Sequence, residues 1–94
     1  MQLTRLIWDD WNENHISAHG VSSEEVEDIC SSPGRILRRG RAGTYAVFGR
    51  TAAGRELIVF LAPRGPQPGT FYPITARAMN FRERRYFRAR RGQE

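Results

Sequence analysis

The run Leu57-Ile-Val-Phe-Leu61 is apolar at every position. Successive side chains of a strand point to opposite faces, so an unbroken apolar strand needs cover on both. The spacing therefore predicts a central strand inside a sheet. It lies within the strand signal Glu56–Ala62, and further strand signals fall at Arg35–Arg38, Thr44–Arg50 and Phe71–Ala76. The breaks between them hold Gly40 and Gly43, then Thr51-Ala-Ala-Gly54, then Pro63 to Gly69, which are turn-forming compositions. Thr44-Tyr-Ala-Val-Phe-Gly49 is expected to pair with the apolar run as a hairpin across Gly54.

Ahead of these strands the pattern is helical. Leu3–Trp8 reads as a short opening strand, and Asp9 or Asp10 can cap a helix over Trp11–Ala18 that ends at Gly20. Ser22-Ser-Glu-Glu25 fits a capping box for a second helix, Ser23 to Cys30, with Val26, Ile29 and Cys30 facing inward and Pro33-Gly34 as its stop. A last helix is expected from Ala78 to Arg90. The order β-α-α-β-β-β-β-α describes one α+β domain over residues 1–94, with a mainly antiparallel sheet of four to five strands.

Charge is divided along this layout. The chain has fifteen basic residues, all arginine, and fourteen of them follow residue 30. The first thirty residues hold one arginine against seven acids, a net of −6, and the remainder holds fourteen against three, a net of +11. An arginine-rich composition alone would account for the missing lysine but not for this segregation. Guanidinium groups hold phosphate through paired hydrogen bonds and stack on bases, so a polyanion is the first partner to consider. On the last helix, 100° per residue puts Met79, Tyr86 and Phe87 on a core-facing side. Arg84, Arg88 and Arg91 lie opposite with Phe81, a mixture suited to gripping RNA backbone and stacking a base.

No apolar run is long enough to span a membrane, and the N-terminus lacks the basic-then-apolar design of a secretory signal. Cys30 is the only cysteine, which excludes an internal disulfide, and a cytoplasmic location is the expectation. His15 and His19 share a helix, but no third ligand accompanies them in a recognised spacing, so neither metal nor other cofactor is expected. A metal-free phosphodiester site is then the chemistry to weigh. Cutting RNA at its own 2′-hydroxyl requires a proton acceptor, a proton donor and cations for the phosphorane. His19, at a helix end before a glycine, suits proton transfer, or simply caps that helix. Arg55 and Arg77 emerge at strand ends where they could hold the phosphate.

Three stretches resemble the BrnT family of ribonuclease toxins, the RelE-like partners in type II toxin–antitoxin pairs. They are Ile7-Trp-Asp-Asp with His15-Ile-Ser-Ala-His-Gly-Val-Ser and Glu25, Gly54-Arg55 before the apolar strand, and Ile74-Thr-Ala-Arg-Ala-Met with Glu83-Arg-Arg. The resemblance implies a RelE-like fold, an endoribonuclease that blocks translation, and a ribbon-helix-helix antitoxin as protein partner. Carried over by position, it supports His19, Arg55, Arg77 and Arg84 as catalytic candidates. Arg88, Arg91, Phe81 and Tyr86 are candidate RNA contacts. Ala18 stands where many members carry lysine, His15 where they carry asparagine, and Phe87 aligns with a family tyrosine that Tyr86 misses by one position. These departures suit the alternative, a non-cleaving relative that binds RNA or its antitoxin. No helix-turn-helix or ribbon signature points to a DNA-binding regulator acting alone.

Overall fold

A computed structural model describes Leu3 and residues 5–91. In chain order the elements are β1 (Arg5–Leu6), α1 (Asp10–Ala18), α2 (Ser23–Ser31), β2 (Ile36–Arg39), β3 (Tyr45–Arg50), β4 (Glu56–Pro63), β5 (Thr70–Ala78) and α3 (Phe81–Arg91). The strands form one sheet in the order β1-β5-β4-β3-β2. β1 pairs parallel with β5, and all other pairings are antiparallel. The expected α+β architecture and element order are observed.

The apolar run is the middle of β4, and its alternate residues serve two cores. Leu57, Val59 and Leu61 join Val47 and Ala76 beneath α1 and α2, where Ile16, Val26, Ile29 and Cys30 meet them. Ile58 points the other way, to Phe48, Met79 and Phe87, with α3 above it. Phe60 packs at the margin of this cluster and is only half-buried, lining an open hollow on that face. The sheet is thus the middle of three layers, and the partial cover at Phe60 leaves part of one face open.

Local chemistry sets the helices. Asp9 caps α1 by accepting the Asn12 N–H, while the Asn12 side chain accepts the Asp9 N–H. Ser22 and Glu25 form the expected box on α2. The close approach of α2 to the sheet depends on Gly49, where a Cβ would meet Ile29 side-chain carbons at 3.1 and 3.2 Å.

Most boundaries move by one or two residues from the sequence expectation, and the changes at the opening strand and the last helix have a visible cause. The opening strand is Arg5–Leu6 rather than Leu3–Trp8; of that span, residue 4 lies outside the described residues. Trp8 instead turns its indole N–H to Glu27 at 2.8 Å. The last helix starts at Phe81, not Ala78, because β5 continues until Ala78 pairs with Leu57 and the Met79 N–H donates to the Glu56 carbonyl. Asn80 and Glu83 then form a third capping box, each side chain accepting the other's N–H at 2.9 and 2.8 Å.

Candidate nucleic-acid interface

The structure places the sequence-predicted residues at one end of the sheet, on both of its sides. His19 is the exposed residue closing α1, its N–H donating to the Ile16 carbonyl and its ring set edge-on to His15 at 5.1 Å. Arg55, beyond the β3–β4 turn, donates from Nη1 to the Gly20 carbonyl at 3.1 Å and to both Glu25 carboxylate oxygens at 2.8 Å. His19 and Arg55 therefore share a corner. Burial pushes the Glu25 carboxyl upward, but the Ser22 N–H and Arg55 outweigh it and hold it below the usual range.

Arg77 lies on the other face, opposite Ile58, with Nη1 and Nη2 on the two Glu83 oxygens at 2.7 and 2.8 Å. That pairing lowers the Glu83 carboxyl and raises Arg77. Arg84 donates to the Met79 carbonyl at 2.6 Å. Arg88 grips Glu56 through Nε and Nη2 at 3.0 and 2.6 Å, and Arg50 reaches the same carboxylate at 2.9 Å. The Glu56 side chain is only 7% exposed, and Arg88 foremost, with Arg50, holds its carboxyl down to about 2 despite burial. Arg91 lies over the Phe87 ring at 5.4 Å. The α3 side carrying Arg84 and Arg88 is thus turned to the end of the sheet, with its cations committed to protein oxygens.

A different set of arginines stands open. Tyr86 is half-buried against Phe48, ring centroids 5.2 Å apart, with the guanidinium carbons of Arg90 and Arg38 at 4.5 and 5.2 Å from its ring. Arg82 and Arg85 line the hollow on the other side of Tyr86, about 430 Å³ in volume. A second hollow of about 280 Å³ joins Arg38, Phe48, Arg82, Glu83 and Tyr86. A third, about 330 Å³, continues past Arg38 and Phe48 over the half-buried Ala46, Phe60 and Ile74. Shared lining residues make these one trough from the uncovered sheet to the outer side of α3. Among the described residues, Arg38, Arg82, Arg85 and Arg90 form no ion pair with a carboxylate.

Sequence reasoning singled out Tyr86 but passed over these four arginines. Arg38 closes a strand signal beside the Gly40 break, with no local pattern that points to Tyr86. Arg82, Arg85 and Tyr86 do carry a signal, since spacings of three and four put them on one helical side. Phe81, 65% exposed with Arg85 at 5.8 Å from its ring, sits at the start of the same helix.

Chemically, the trough can hold backbone phosphate on guanidiniums and stack a base on an aromatic ring. Its means of moving a proton are restricted. Glu83 is the carboxylate lining it, and both oxygens are occupied by Arg77. His19 belongs to α1, across the sheet. Among the described residues no group of three or more His, Cys, Asp or Glu side chains is placed to hold a metal ion. No helix among them is long and apolar enough to cross a membrane. The fold and surface together define a small three-layer α+β domain with an arginine-lined trough. No family model matches the chain, and no curated protein matches it. The resemblance to the toxin family is therefore one of short motifs alone.

Proposed function

We propose that the protein binds single-stranded RNA along the trough beside Tyr86. We further propose, from the motif resemblance, that it is the endoribonuclease toxin of a toxin–antitoxin pair, held inactive by a ribbon-helix-helix antitoxin. One observation carries the binding surface: Arg38, Arg82, Arg85 and Arg90 surround a tyrosine ring without carboxylate partners, whereas Arg55, Arg77 and Arg88 are each neutralised. Free guanidiniums attract phosphate; paired ones must first give up a carboxylate.

Cleavage at the 2′-hydroxyl then assigns Arg38 and Arg82 to the scissile phosphate and Tyr86 to the stacked base. Glu83 becomes the proton acceptor once phosphate draws Arg77 away from it; the 2′-oxygen bonds to phosphorus as the bond to the 5′-oxygen breaks, and the Glu83 acid so formed or a solvent water protonates the departing 5′-oxygen. A second reading, binding without cleavage, is favoured by the same ion pair, because a carboxylate lowered by Arg77 is a weak base.

The test is incubation with end-labelled single-stranded RNA in the presence of a metal chelator. The proposal expects fragments with 5′-hydroxyl ends, lost in Glu83→Gln and Tyr86→Ala, and growth arrest on overexpression. Retarded but intact RNA establishes the second reading. Cleavage that survives Glu83→Gln and fails in His19→Ala returns proton transfer to the α1 side.

A further inference from the structure

Two large hydrophobic side chains stand exposed among the described residues, Trp11 at 60% and Phe81 at 65%, and they lie on opposite sides of the sheet. Trp11 is not loose. Its ring stacks on His15 at 4.9 Å and 8°, and His15 meets His19 edge-on at 5.1 Å, so three rings form an ordered stripe along α1. An ordered aromatic surface loses little entropy on being covered.

The charge beside each ring selects the occupant. Most described carboxylates are engaged: Asp9 by Tyr72, Glu25 by Arg55, Glu27 by Trp8, Asp28 by the Ala52 N–H, and Glu56 and Glu83 by arginines. Asp10, Glu13 and Glu24 have no such partner among the described residues, and all three are exposed on α1 and α2. Asp10 adjoins Trp11 directly. Carboxylates repel a phosphate backbone, so nucleic acid does not suit this side. Phe81 has the opposite setting, with Arg82 next to it and Arg85 over its ring.

We propose that copies of this chain associate head to tail, the Trp11 side of α1 on one meeting the Phe81 end of α3 on the next. Each contact would bury an aromatic pair at its centre, with Asp10 opposite Arg82 and Arg85 at its rim. Because the two patches are on opposite sides of the molecule, the contact is heterologous and extends into chains or rings. A patch of one helix side gives weak, salt-sensitive association.

Sedimentation velocity without RNA tests this apart from the RNA reading. Wild-type protein is expected to sediment faster as concentration rises from about 10 µM to about 1 mM at low salt, and to revert at high salt. Asp10→Arg/Trp11→Ala and Phe81→Ala/Arg85→Glu should each stay monomeric alone. Mixed in equal amounts they should form a 1:1 dimer and nothing larger, since one intact contact remains between them. A monomeric wild type, variants that still self-associate, or a mixture that stays monomeric would each overturn the proposal.

Discussion

At the start of α1 the wholly buried Asn12 side chain accepts the Asp9 N–H and donates to the carbonyls of Ile7 and Pro73, at 2.9, 3.0 and 3.0 Å. It ties the helix to the end of β1 and to β5 in one step. Asn12→Ala leaves two carbonyls without their donor, and urea unfolding should show a loss of about 2–3 kcal/mol. Glu56 makes the second single-residue prediction. Its folded carboxyl is held at about 2, against 4.5 ordinarily, so the ionised form is favoured in the folded state. That contribution is complete above about 4.5 and is lost as pH falls from there through about 2. Urea midpoints measured down this range should drop steeply for wild type and less steeply for Glu56→Gln, which begins from a lower midpoint at neutral pH. Legibility at this scale followed sequence distance. The Asp9 and Ser22 caps could be read because their partners lie three residues away. Asn12 bonds across 61 positions, Arg55 to Glu25 across 30 and Arg88 to Glu56 across 32, and no local pattern announces such partners.

Between elements, the tightest constraint is α2 against β3 at Gly49. Gly49→Ala would set a methyl group 3.1 Å from Ile29 Cγ2 with the helix carbonyl at 3.4 Å, so the Ile29 side chain must give by a few tenths of an ångström. A cost of about 1–3 kcal/mol is expected in thermal or urea unfolding, while Gly54→Ala in the β3–β4 turn acts through its positive φ of 93° instead. The strand pattern was readable because β4 alternates between two cores, and its apolar run demanded both. The β5–α3 boundary was not, since Ala78-Met-Asn80 suits a helix locally. Pairing of Ala78 with Leu57 extends the strand, and the Asn80–Glu83 box then fixes the helix start. The helical wheel correctly buried Met79 and Phe87. It set Arg84 and Arg88 facing away from the core, but a wheel has no knowledge of Glu56 at the end of the sheet, toward which Arg88 turns.

Over the whole molecule, the acidic front of the sequence becomes one outer layer, and the basic body becomes most of the sheet and the layer opposite. α1 and α2 carry the acids on one side of the sheet, and α3 with β2 carries the open arginines on the other. Some of the arginine excess is internal: Arg50, Arg55, Arg77 and Arg88 serve carboxylates of the fold itself. Of the eleven arginines that remain, Arg38, Arg82, Arg85 and Arg90 gather around Tyr86, and the RNA reading depends on that cluster. Net charge alone makes a different forecast from a located site, and equal charge changes at two places separate them. Fluorescence anisotropy with a single-stranded RNA, at nanomolar protein and fixed salt, would compare Arg82→Glu/Arg85→Glu with Arg5→Glu/Arg64→Glu, the latter pair lining a hollow beside β1. A loss of affinity of at least about tenfold is expected for the α3 pair, and less than about threefold for the β1-side pair. Equal losses in the two variants, or a greater loss at Arg5 and Arg64, would contradict it.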